Sequence, residues 1–176
     1  ILFLKFKNNY MYKDLFKKVK NDGFCILDKG YDLTFCNEVI SFIDNFNELE
    51  TELCYGGTEV RIWDAHLKSE HIRIFKEDSD RLLSRMYGKP IESYTILALK
   101  NSAIPDVESL RRGRWHIDSF REQVKVFTFL SEVKEENGPF EFITGSHNAF
   151  FKFKNVLKGN YFGMFDLFGS KRKYQK

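Results

Sequence analysis

The sequence predicts one mixed α+β domain, mainly β in its second half, with helices gathered towards the N-terminus. Three observations predict it. Two amphipathic stretches with helical spacing come first, over Met11–Lys20 and Phe35–Phe46. Runs rich in β-branched and aromatic residues come later, at Ser93–Lys100, Gln123–Val133 and Phe140–Thr144. The length, 176 residues with 43% hydrophobic residues, suits a single core.

In Met11–Lys20 the apolar residues Met11, Leu15, Phe16 and Val19 recur at three- and four-residue spacing with lysines between them. Asp22-Gly23 ends this helix, and Phe24–Leu27 reads as a strand. Thr34 is placed to cap the second helix, whose Phe35, Val39, Phe42, Ile43 and Phe46 share one face. Gly56-Gly57 marks a turn, and Glu59–Trp63 reads as extended. A third helix is expected from Ser69 or Glu70 to about Tyr87, buried through Ile72, Phe75, Leu82, Leu83 and Met86 and stopped by Gly88 and Pro90. His66 and His71 flank its start, where a histidine is more often a surface or capping group than a ligand.

Ser93–Lys100 is the next strand, and a loop then leads through Asn101 and Pro105 to Gly113. Arg111, Arg112 and Arg114 follow closely, either as a solvated basic loop or as the mouth of a site for an anion. The net charge of +3 gives no support to nucleic-acid or membrane binding. Cys25, Cys36 and Cys54 form no C-x-x-C pair and are odd in number, which argues for a reducing compartment. The opening ILFLKFKNNY is too short and too charged to span a membrane, so a cytoplasmic protein is expected.

The stretch carrying the most chemistry is Arg114–His147. His116 and Asp118 stand two apart in strand-like surroundings, so both project from one face. An imidazole and a carboxylate side by side make two thirds of a two-histidine, one-carboxylate iron site. The same spacing also describes a histidine merely paired with a carboxylate at a strand end. Downstream come the long β-prone run, the turn Glu135–Pro139, and a short aromatic strand closed by Gly145-Ser146-His147.

The order WHIDSF, LSEV, ENGPFEFITGSH closely resembles the phytanoyl-CoA dioxygenase family. That resemblance implies a double-stranded β-helix, a cupin-like jelly roll, with flanking N-terminal helices. It implies an Fe(II)- and 2-oxoglutarate-dependent dioxygenase that hydroxylates a small-molecule substrate with molecular oxygen, releasing succinate and carbon dioxide. His116 and Asp118 would be the catalytic metal ligands, and the presence of Asp118 favours hydroxylation over halogenation. Lys125 and Asn101 are the candidates for holding 2-oxoglutarate. Lys125 either points inward to that anion or snorkels to solvent. In the resembled family a distal histidine and a following arginine complete the site. Here His147 belongs to the GSH turn and no histidine follows it, so residues 1–176 are expected to be one oxygenase domain lacking its C-terminal strands. The alternative reading is a non-catalytic jelly-roll binding or interaction domain within a larger protein.

Overall fold

The structure is a computed structural model and describes residues 9–27, 30–102, 122–137 and 139–157. Its described elements are α1 (Asn9–Asp22), α2 (Leu33–Asp44), β1 (Glu52–Cys54), β2 (Glu59–Ile62), α3 (Glu70–Tyr87), β3 (Ala98–Asn101) and α4 (Ala149–Leu157). Short 3-10 turns lie at Glu48–Glu50, Tyr55–Gly57, Ala65–Leu67 and Glu135–Asn137.

Each helix has a local cause. α1 ends where Gly23, at φ +92°, turns the chain and donates its N–H to the Val19 carbonyl at 3.0 Å. α2 is capped by Asp32, whose carboxylate accepts from the Phe35 N–H at 2.8 Å, and not by Thr34, which lies inside the helix. Aspartate outranks threonine as a cap, and that preference places the start two residues earlier than Thr34 would. α3 begins after Ser69, whose hydroxyl accepts from the Ile72 N–H, and ends at Gly88 in the left-handed region. On its exposed side Arg73 bridges Glu70 and Glu77, one turn away in each direction.

The sheet is antiparallel and three-stranded, in the order β1-β2-β3. β1 and β2 form a tight hairpin, with Glu52 opposite Arg61 and Cys54 opposite Glu59. β2 pairs with β3 through Glu59 opposite Asn101 and Ile62 opposite Ala98, after an excursion through α3. Here the expected double-stranded β-helix is corrected. Among the described residues, strands of three, four and four residues stand against helices of 14, 12, 18 and 9. The described strands make one open sheet, and a jelly roll requires two facing ones. The expected strands Phe24–Leu27, Gln123–Val133 and Phe140–Thr144 join no ladder in the described part of the chain. Of Ser93–Lys100 only the end is strand, and that strand runs on to Asn101.

Two apolar clusters hold the domain together. The first gathers Val39, Ile62, Ala65, Ile72, Ile96 and Ala98, so it lies between the sheet, α2 and the start of α3. The second gathers Tyr12 and Leu15 of α1 with Leu82, Leu83 and Met86 of α3. An 18-residue helix is about 27 Å long, which lets α3 serve both.

The chain returning from α3 to β3 is tied down by side chains of α3. Asp80 accepts from the Ser93 N–H at 2.8 Å and from the Ser93 hydroxyl, and it takes Lys76 Nζ at 2.7 Å. Ser84 accepts from the Ile91 N–H at 2.9 Å. Burial works against the Asp80 charge, yet the bonds from Lys76 and Ser93 hold its carboxyl below the usual carboxylate value. A lowered folded-state pKa contributes stability above the unfolded carboxylate value, and that contribution is lost as the pH falls through the folded one. Asp80→Asn is therefore expected to cost about 2 kcal/mol near neutral pH, because an amide N–H₂ would face the Lys76 ammonium. Urea titrations of both proteins should converge in acid; a difference that does not shrink there would remove the charge from this account.

Candidate interaction face

The predicted site residues do not assemble among the described ones. His116 and Asp118 lie outside the described residues, as do Arg111, Arg112 and Arg114. Asn101 closes β3 as an exposed residue opposite Glu59. Lys125 is also exposed. His71 stands edge-on to Phe35 at 5.4 Å between ring centres, and His66 lies in the 3-10 turn before α3. His147 closes the Thr144–His147 turn onto the end of α1, where its Nε2 lies 3.0 Å from the Lys20 carbonyl oxygen. The Gly145 N–H reaches the Asp22 carbonyl beside it at 3.0 Å. Among the described residues no group of three or more His, Cys, Asp or Glu is placed to hold a metal ion.

The open side of the sheet carries a polar network. Glu59, itself buried, and Arg61 alternate along β2 with half-buried Val60 and the core residue Ile62, so they share the face opposite Ile62. Arg61 Nε donates to Glu59 at 2.5 Å, lies 3.9 Å from Glu52, and stands over the Tyr55 ring. Trp63 Nε1 donates to Glu52 at 2.6 Å. Burial opposes the Arg61 charge, but the Glu59 carboxylate raises its pKa above the ordinary value. Arg61 is thus matched by carboxylates of its own sheet.

A different surface carries exposed aromatic rings. In the extended segment 122–130, Val126 packs against the second cluster and Leu130 against the first, with Thr128 half-buried between them. Exposure alternates along this stretch, and the intervening residues are the more exposed ones. Lys125, Phe127 and Phe129 are exposed, the two phenylalanines to 54% and 60%. Phe140, 65% exposed, lies against Phe127 with ring centres 5.4 Å apart. Phe142 turns instead onto Phe24, at 5.4 Å. Rings of 150–250 Å² each put the exposed trio on the order of 300 Å², the scale of the largest patches on monomers.

Nothing in the sequence singled these rings out. VKVFTFL reads as part of a β-prone run, which by itself assigns no face to either phenylalanine. The odd-numbered residues become visible as a face only once Val126 and Leu130 are seen to take the inner one.

No family model matches the chain, and no curated protein and no solved structure matches it either. The resemblance to the phytanoyl-CoA dioxygenase family is therefore corrected. With it go the reading as an Fe(II)- and 2-oxoglutarate-dependent dioxygenase, its two cofactors, and the small-molecule substrate and molecular oxygen expected as partners. The jelly-roll binding domain, offered as the alternative, goes as well. The physical reason is shared: the described residues form a helix-rich domain on one open three-stranded sheet and group no three metal-ligating side chains. No helix among the described residues is long and apolar enough to cross a membrane.

Proposed function

We propose that the chain is an interaction domain that assembles through the face bearing Phe127, Phe129 and Phe140. One observation carries the reading: a segment whose inner residues are packed on both clusters turns two aromatic rings to solvent on its other side, where Phe140 lies against Phe127. Rings are costly to leave in water and are enriched at the centres of contact surfaces. The occupant favoured is a second copy of the chain. Charges adjacent to the segment in sequence are already paired, Lys134 with Glu132 at 3.5 Å and Glu122 with Lys20 of α1 at 3.1 Å. Two copies meeting across a two-fold axis therefore bring aromatic surface together without a field of one sign.

Sedimentation over a range of concentrations tests this. The unaltered chain is expected to dimerise, and Phe127→Lys/Phe129→Lys to remain monomeric with an unchanged far-UV circular dichroism spectrum. Burying these rings in a dimer and then placing two charges there should weaken association at least about a hundredfold. A chain that stays monomeric at every concentration, or a variant that dimerises equally well, overturns the proposal.

A further inference from the structure

We propose, resting on the self-association above, that two copies join by pairing segment 122–134 of each as antiparallel strands, with Thr128 opposite Thr128. From Val126 to Val133 no backbone N–H or carbonyl is hydrogen-bonded among the described residues. The segment is nevertheless held in place, because Val126 and Leu130 pack on the two clusters and Thr128 is half-buried between them. Backbone groups fixed in an extended stretch and left without partners are a template for one more strand. Strand addition of this kind takes its affinity from the main chain and its selectivity from alternate side chains.

The side chains select the same segment of a second copy. Pairing about Thr128 sets Phe127 opposite Phe129 and Val126 opposite Leu130, and the two-fold axis makes each pair twice. Rings then meet rings on the exposed side and aliphatic chains meet on the inner one. Phe140, already against Phe127, flanks the paired rings from its own chain. Glu122 falls opposite Lys134 of the other copy, again twice. Both charges are exposed, and their present bonds to Lys20 and Glu132 are surface pairs that a cross-strand contact can replace at little cost. The neighbouring registers that keep the same faces together fail on charge. With Phe127 opposite itself, Glu122 meets Glu132; with Phe129 opposite itself, Glu122 and Gln123 fall against the acidic turn Glu135–Asn137. A strand of foreign sequence would have to bring its own complement to Glu122 and Lys134, which a second copy supplies.

Cysteine cross-linking of the full chain tests the register. In this pairing Lys125 of one copy faces Ser131 of the other, while the two Lys125 positions lie about 20 Å apart along the strands, as do the two Ser131 positions. Both residues are exposed. Mixed Lys125→Cys and Ser131→Cys chains are expected to form the disulfide between the two variants at least about tenfold faster than either forms one with itself, read by mass spectrometry of the linked peptides. The unaltered chain supplies a second readout: amides within Val126–Val133 should gain protection from hydrogen exchange as its concentration rises through dimerisation. If the chain dimerises and Phe127→Lys/Phe129→Lys does not, yet the mixed disulfide has no preference or Val126–Val133 gains no protection, the strand pairing is overturned and the aromatic face stands. A chain monomeric at every concentration overturns both.

Discussion

Ile62→Ala is expected to destabilise the domain by about 4 kcal/mol, enough to lower the melting temperature by roughly 10 °C in a chain of this size. Ile62 is fully buried, at the end of β2, opposite Ala98 of β3. Its side chain belongs to the cluster that joins Val39 of α2, Ile72 of α3, Ile96 and Ala65. Truncation removes three carbons from a site where sheet and two helices converge, and β-strand pairing on one side leaves little freedom to collapse. Ile62→Val should cost only about 1 kcal/mol, since the cavity is one methyl group. Val60, on the same face but only half-buried, gives the comparison: Val60→Ala should cost clearly less than Ile62→Ala in the same thermal melts. Equal losses at the two positions would show that the core does not centre on Ile62.

How far the sequence exposed this fold depended on the range of each interaction. α3 was legible almost to the residue, because Ser69, the spacing Ile72 to Met86 and Gly88 are local signals within one continuous helix. Asp22-Gly23 was legible as a turn for the same reason. The start of α2 was misread because two good caps, Asp32 and Thr34, stand two residues apart, and only the bond to Phe35 distinguishes them. Strands fared worse. A β-prone run such as Val124–Leu130 announces an extended backbone, but a ladder needs a partner from elsewhere in the chain, which no local pattern supplies. The expectation of a closed β-helix rested on the order WHIDSF, LSEV, ENGPFEFITGSH, which includes the short turns ENGP and GSH. Of these the described residues form local features, the 3-10 turn at Glu135–Asn137 and the turn at Thr144–His147. A turn of given sequence fits many architectures.

The candidate face followed a similar logic. Phe127 and Phe129 were visible as members of the β-prone run Gln123–Val133. Their exposure follows parity: Val126 and Leu130 take the two clusters, Thr128 between them is half-buried, and Phe127 and Phe129 are left facing solvent. A slip of one residue would bury the phenylalanines and expose Val126, Thr128 and Leu130 instead. Phe127 and Phe129 outside thus reflect a register chosen by clusters built mainly from α1, α2 and α3.

The junction that holds the Thr144–His147 turn against the end of α1 should be equally sensitive to a single methyl group. Gly23→Ala is expected to cost about 3 kcal/mol. At φ +92° Gly23 adopts a conformation that L-residues rarely take, worth about 1–2 kcal/mol of strain. A Cβ there would also stand 2.5 Å from His147 Nδ1 and 2.8 Å from the Phe142 ring, so those side chains must move, at a further cost of about 1–3 kcal/mol. The stiffer unfolded chain returns about 0.4–1 kcal/mol. Gly88 separates the two costs: its φ is +66°, and a Cβ there meets nothing within 4 Å. Gly88→Ala should therefore show strain alone, about 1 kcal/mol. Hydrogen exchange adds a local readout, since displacing His147 and Phe142 should loosen the Gly145 N–H from the Asp22 carbonyl and speed its exchange in Gly23→Ala but not in Gly88→Ala. If the two variants lose the same stability and protect Gly145 alike, the Thr144–His147 turn is not packed on the end of α1 in the way its contacts describe.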